Sequence, residues 1–357
     1  MRENRSFDHL LGRIHALQPQ AEEVPASFSN PDTKGQPIAP FHARTSCLNT
    51  NPAHQWEGMH EGIHGGAMDG FVKNAAAPLL SNGHEAMSYF DERDLPFEYW
   101  LASTWALNDR HFAPLRSGTF PNRLFMLLAT NDGVRQTALG ARPHATTPTI
   151  FQALSKAGLT WGAYGDGQIL SDVLGWSVGM PGCYRLADFF AQLDAGTLPN
   201  VAFVDAIAGF DDDHSPADVQ RGEAWTHRVY QHVVRSPQWP RTAMVWTYDE
   251  GGGFADHVPP PDGCVARPGT IDANAFERGV RVPFVIISPW AKPRSVSHVV
   301  QDHTAITRFI ETIFGLPALT ARDANSTALL DLFDFSSCTP PMLEPPPAPD
   351  AGTGGCR

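Results

Sequence analysis

The stretch "TYDEGGGFADHVPPP" sets Asp249 and Glu250 directly after the apolar run Ala243–Trp246. Gly251, Gly252 and Gly253 follow, then Asp256 and His257. Two carboxylates at the carboxyl end of a buried strand can hold a hard divalent cation. The glycines let the backbone turn sharply and come close to a ligand. This oxygen-rich set suits Ca2+ or Mg2+, with Zn2+ an option if histidines join. The plain structural alternative is a polar loop capped by glycines. The chain opens on similar chemistry: "MRENRSFDHLLG" places Glu3 beside Asn4, with Arg5 and Asp8 close behind. An acid next to an amide offers two more oxygen ligands, although a frayed, solvated terminus would read the same way.

A nucleophile has a candidate in "RSGTFPNR". Thr119 stands at the start of an apolar helical pattern, with Pro121 in the first turn. A hydroxyl there faces the unpaired N–H groups and the positive end of the helix dipole, where phosphate binds readily. An ordinary N-cap is the alternative. His54 and His60 lie in "NPAHQWEGMHEGIHGG", Asp213 and His214 in "DDDHSP", and His303 in "QDHTA". Each could hold a phosphate oxygen or move a proton, and each could equally be structural. "GWSVG" also matches the nucleophile-elbow pattern around Ser177, with Asp249 and His303 in the right chain order for a metal-independent serine esterase. That pattern needs a strand before it and a helix directly after, and "MPGCY" starts a helix poorly.

The elements that would position these residues alternate. Helical patterns cover Pro96–Asn108, the segment from Thr119, Thr149–Ala157, Arg185–Ala195, Ser215–Arg235 and Asp302–Phe314. In Ser215–Arg235, Trp225, Val229 and Val233 share one face. Strands are expected at Leu159–Tyr164, in "NVAFVDA", in "AMVWTYDE" and in "VRVPFVIISPW"; the last two read as buried parallel strands. The alternation predicts an α/β fold, a mostly parallel central sheet with helices on both faces. Ligands then gather beyond the carboxyl ends of the strands. The 357 residues carry 42% hydrophobic and 18% charged side chains and a net charge of -12. That composition supports a large core and argues against a nucleic-acid partner, since no basic stripe accompanies it. No apolar run reaches the roughly 20 residues of a membrane helix. Five scattered cysteines lack the paired spacing of a thiolate zinc site. Residues 1–337 are expected to form one catalytic domain, and 338–357 a disordered Pro/Gly-rich tail.

Taken in order, "ENRSFDHLLG", "PAHQWEGMHEG", "DLPFEYWLASTWALNDRHF", "TFPNRLF", "DDDHSPADVQRGEAW", "TYDEGGGFADHVPPP", "GVRVPFVIISPWAK" and "DHTAITRFIETIFGL" resemble the phosphoesterase family of bacterial phosphocholine-specific phospholipases C, plant non-specific phospholipases C and bacterial acid phosphatases. The resemblance runs along nearly the whole chain. It implies an alkaline-phosphatase-like fold and a metal-dependent phosphoester hydrolase. Glu3, Asn4, Asp249 and Glu250 match the metal-binding positions. Thr119 matches the nucleophile, which also touches the metal and becomes a phosphothreonine. His54, His214 and His257 match phosphate-holding or proton-moving positions; His60, Asn122, Asp213 and His303 fall in supporting ones. The implied substrate is a phospholipid cut on the glycerol side, with transient contact to a membrane surface; a phosphomonoester is the alternative. Family members place an apolar strand directly before the Glu–Asn pair, whereas only Met1 and Arg2 precede Glu3 here. The first strand of the sheet is therefore expected to be missing, or its slot filled by another segment. A remnant that binds phosphorylated ligands without turning them over is a third reading. The compartment stays open, because members are often secreted and this sequence carries no signal peptide.

Overall fold

The computed structural model describes residues 1–48, 50–76, 82–138, 140–166, 170–266, 276–337 and 345–347. The segment expected to form a disordered tail therefore lies, apart from 345–347, outside the described residues. The sheet strands are β1 (Ala106–Asn108), β2 (Trp161–Tyr164), β3 (Cys183–Tyr184), β4 (Val201–Val204), β5 (Met244–Thr247), β6 (Phe284–Ile287) and β7 (Ser295–Ser297). The helices that matter here are α1 (Phe7–Leu11), α2 (Trp56–Ile63), α3 (Pro96–Thr104), α4 (Thr119–Leu128), α5 (Leu186–Ala195), α6 (Val219–Arg235) and α7 (Thr304–Phe314).

Three strands pair in the order β3-β2-β4, all parallel. Four more pair in the order β5-β6-β1-β7. Between these two sets lie Met1–Glu3. Arg2 bridges Tyr248 in parallel fashion: its N–H donates to the Thr247 carbonyl at 2.9 Å, and its own carbonyl accepts from the Asp249 N–H at 3.0 Å. On the other side the Met1 amine donates to the Val204 carbonyl at 2.9 Å. The Glu3 N–H donates to the Asp212 carbonyl, also at 2.9 Å. Backbone groups of successive residues point to opposite sides, as in a strand between two neighbours. Three residues thus deliver Glu3 and Asn4 to the carboxyl ends of β4 and β5. The Arg2 side chain locks this placement. Its guanidinium pairs with Asp213 at 2.7 Å and donates to Thr226 Oγ1 at 2.8 Å. Gly222 of α6 makes room: a Cβ there would lie 1.6 Å from Arg2 Nη2.

The α/β class is the one the alternating pattern predicted. Trp225, Val229 and Val233 are buried along one face of α6, and the Asp218 side chain caps that helix by accepting from the Gln220 N–H. Two details differ. β5 and β6, read as parallel strands, are antiparallel to each other, and β6 is antiparallel to β1. A strand covered on both faces has no alternation to mark its direction. What marks it is the connection, and the described residues between β5 and β6 hold no crossover helix. The helix expected over Pro96–Asn108 stops at Thr104, because residues 106–108 pair with β6 and β7 as β1. The core centres on β6, whose four residues are fully buried, and on Trp105, Leu107 and Leu127.

Candidate active site

Thr119 is the first residue of α4, and the preceding Gly118 provides no side-chain cap. The threonine hydroxyl does not cap the helix either. It donates to Glu3 Oε2 at 3.2 Å. Asn122 fixes the approach to the helix. Its Oδ1 accepts from the Leu115 N–H at 2.8 Å, and its Nδ2 donates to the carbonyls of Ser117 (2.7 Å) and Gly118 (2.9 Å). Asn122 is therefore a positioning residue for the loop that presents Thr119.

Four residues on from Thr119, on the same face of α4, Arg123 reaches a ring of carboxylates. It pairs with Glu3, with Asp205 at 3.2 Å and with Asp249 at 3.3 Å. Neither Arg123 nor Asp205 was expected at the site from the sequence. The available signal was an arginine one turn after the candidate nucleophile, and an acid directly after the apolar run of β4. Burial raises the Glu3 carboxyl well above its usual range; Arg123 pulls it back, and Asp249, Asp212 and Asp205 push it further up. Burial and the neighbouring Asp249 likewise hold the Glu250 carboxyl well above its usual range.

Asn4 adopts a left-handed backbone with φ 60°. That conformation is costly for a residue with a Cβ, and asparagine bears it better than most. Its N–H donates to Asp249 Oδ1 at 3.1 Å. Its Nδ2 contacts His54 Nε2 at 3.1 Å, while His54 Nδ1 contacts the Pro52 carbonyl at 2.7 Å. The carbonyl can only accept, so Nδ1 carries the proton and Nε2 accepts from Asn4. Burial lowers the His54 pKa and keeps the ring neutral, in keeping with that tautomer. Asn4 Oδ1 is then left buried without a hydrogen-bond partner, and so is Glu250 Oε1. Gly252 brings the loop within reach: a Cβ there would lie 2.0 Å from the Asn4 carbonyl. Arg123 already counters Glu3 and Asp249, so the donors left over are the two orphaned oxygens, Asn4 Oδ1 and Glu250 Oε1, which suit a hard divalent cation.

The remaining candidates divide. The His214 ring meets that of His54 edge to face, with centroids 5.7 Å apart and planes at 79°. Asp213 is occupied by Arg2 and by the Tyr248 hydroxyl, at 2.6 Å, and serves the scaffold. His303 also supports: one ring nitrogen contacts the Asp249 carbonyl at 2.7 Å and the other His111 at 3.0 Å. His257 joins a different group. Its Nδ1 bonds Asp8 at 2.7 Å, and Arg281 pairs with both Asp8 and Asp256. The chain reverses at Gly252 and Gly253 and carries Asp256 and His257 away from Asp249. Asp8, Asp256 and His257 are close enough to suggest a cation site, but the Arg281 guanidinium already fills that role. His60 bonds Glu277 at 3.0 Å and the Trp56 carbonyl, within α2, and contacts none of the Thr119 cluster. The nucleophile-elbow pattern has no elbow. A 3-10 helix at Leu170–Leu174 precedes the exposed Ser177, and bends follow it. The serine esterase reading loses the strand-to-helix turn on which its pattern depends.

The residue before His303 gives a test of stability. Asp302 pairs with Arg278 at 2.7 Å and Arg322 at 2.8 Å and caps α7 through the Thr304 N–H. Burial alone would raise its pKa, but the two guanidiniums override that and hold it well below the usual carboxylate range. A depressed folded-state pKa contributes stability that is complete above the unfolded value, about 3.9, and drains away as pH falls below it. Asp302→Asn should therefore melt well below wild type at neutral pH. The gap should narrow as pH falls below about 4. A gap of constant size across that range in thermal unfolding would contradict the linkage.

The sequence profile of the Phosphoesterase family matches residues 1–317. The chain belongs to the Phosphoesterase family. Among curated relatives of this phosphoesterase, non-specific phospholipase C3 of Arabidopsis thaliana is 31% identical over 381 residues, covering 90% of this chain and 70% of that protein. Phospholipase C B of Mycobacterium tuberculosis (strain ATCC 25618 / H37Rv) is 30% identical, covering 94% and 77%. A phosphonate monoester hydrolase from Silicibacter pomeroyi overlays only loosely, with 13% identity, a TM-score of 0.42 and coverage of 67% and 71%. The assignment rests on the sequence matches.

Proposed function

We propose that this phosphoesterase is a divalent-metal-dependent, phospholipase C-like hydrolase that cuts the glycerol-side phosphodiester of phospholipids through a phosphothreonine at Thr119. The observation that carries the reading is the Thr119 hydroxyl, turned away from capping its helix and toward Glu3. The relatives named as phospholipases C support the diester substrate.

Glu3, Asn4, Thr119, Asp249 and Glu250 would hold the cation. When bound, it acidifies the threonine hydroxyl and neutralises the phosphoryl oxygens. Thr119 Oγ1 forms the new bond to phosphorus and gives up its proton, for which Glu3 Oε2 is the acceptor already in contact. The P–O bond to the glycerol breaks, and diacylglycerol leaves as the alcohol after taking a proton. His214 would supply it as an imidazolium, with Nδ1–H held by the Ser215 carbonyl at 2.8 Å and the Nε2 proton passing to the leaving oxygen. Water then attacks the phosphothreonine, releasing the phosphorylated head group and restoring Thr119. Arg123 holds Glu3 and Asp249 in place throughout.

Hydrolysis of p-nitrophenyl phosphorylcholine and p-nitrophenyl phosphate, before and after chelation, tests the assignment. The expected result is diester cleavage that disappears with chelator and returns with Ca2+ or Mg2+. Preference for the monoester would favour an acid phosphatase, and chelator-resistant turnover would refute metal dependence.

A further inference from the structure

The loop after β4 carries an apolar tip that the chemistry does not use. Ile207 is half-buried, while Ala208, Gly209 and Phe210 are exposed, the phenylalanine by 50%. Ala208 and Phe210 expose their apolar side chains on either side of a glycine, above the half-buried Ile207. The turn is built to present them. Asp211 Oδ1 accepts from the Ile207 N–H at 2.6 Å, and Asp212 Oδ2 from the Gly209 N–H at 2.9 Å. The Phe210 N–H donates to the Ile207 carbonyl at 3.0 Å, and Gly209 supplies the positive φ of 70° that the turn requires. The acids fold inward and the apolar side chains face out. Asp212 also ties the tip to the site. Its Oδ1 accepts from the His214 N–H at 3.1 Å, and its carbonyl accepts from the Glu3 N–H at 2.9 Å. Phe210 lies two residues from Asp212, so their Cα atoms are within about 7 Å. The Arg221 guanidinium stacks on the Phe210 ring at 4.7 Å.

We propose that the tip 207–210, with Arg221, is an interfacial contact that seats the protein on a phospholipid surface beside the active site. This rests on the phospholipase C-like reading. The ring enters the acyl boundary, and the guanidinium stacked on it supports the ring at head-group depth. A net charge of -12 opposes purely anionic surfaces, so the surface that fits is zwitterionic phosphatidylcholine.

The test uses the full chain, phosphatidylcholine vesicles and soluble p-nitrophenyl phosphorylcholine. Phe210→Asp should lower both vesicle co-flotation and vesicle hydrolysis by roughly ten- to hundredfold, the ratio expected for losing one buried aromatic side chain. Its kcat/KM on the soluble diester should stay within about twofold, because Phe210 takes no part in the chemistry. Phe210→Trp should restore vesicle binding. Equal losses on both substrates, or no loss on vesicles, would overturn the proposal. So would a wild-type protein that cleaves the soluble diester but never floats with vesicles, and that result would leave the phosphodiesterase reading standing. Flotation that depends on Phe210 in a protein inactive on the diester would support the tip and sink the phosphodiesterase reading instead.

Discussion

Thr119→Ala is expected to lower turnover of p-nitrophenyl phosphorylcholine by roughly a thousandfold or more while leaving the fold intact. The two halves of that expectation have separate causes. Thr119 does not cap α4, and the loop before it is pinned by Asn122 rather than by the threonine. Removing the hydroxyl therefore costs one hydrogen bond, to Glu3, and no helix cap. Alanine is also the best helix former, so α4 loses nothing in propensity. The proposed chemistry, by contrast, loses the atom that would form the bond to phosphorus. Thr119→Ser should keep substantial activity, because the hydroxyl survives. Acid quenching of wild type with a labelled head group should trap label on Thr119, and none on the alanine variant. Full activity in Thr119→Ala would remove this residue from the mechanism.

Arg123→Met is expected to be the most destabilising single change at the site, by about 3–5 kcal/mol in denaturant unfolding. Glu3, Asp205 and Asp249 all lean on this guanidinium, and all are buried. Methionine fills much of the volume but leaves the carboxylates facing one another without a counter-charge. Added Ca2+ or Mg2+ should return part of the loss, since a cation bound to the folded state stabilises it by mass action. Arg123→Lys should fall between, because an ammonium supplies the charge without the fork that reaches three carboxylates at once. An Arg123→Met protein as stable as wild type would show that those carboxylates do not depend on Arg123.

The sequence by itself determined the class of fold and the family, and it nominated the candidate cluster. Apolar runs alternating with amphipathic patterns are local properties, and so α4, α6 and the strands β2, β4, β5 and β6 could be read from them. Glu3, Asn4, Thr119, Asp249 and Glu250 could be nominated because the order of motifs resembles the family, whereas each residue type alone also fitted a structural role. Tertiary structure decided the rest. It sent His257 to Asp8 and Arg281, because the glycine turn reverses the chain and seven residues of separation say nothing about direction. It brought Arg123 and Asp205 into the site from different elements, a juxtaposition no local pattern encodes. It set β6 antiparallel to β5, since a strand buried on both faces carries no mark of its orientation. It placed Met1–Glu3 between β4 and β5, where a few backbone hydrogen bonds and the buried Arg2 fix Glu3 and Asn4. Those contacts join residues more than 200 positions apart, and only the closed sheet brings them together.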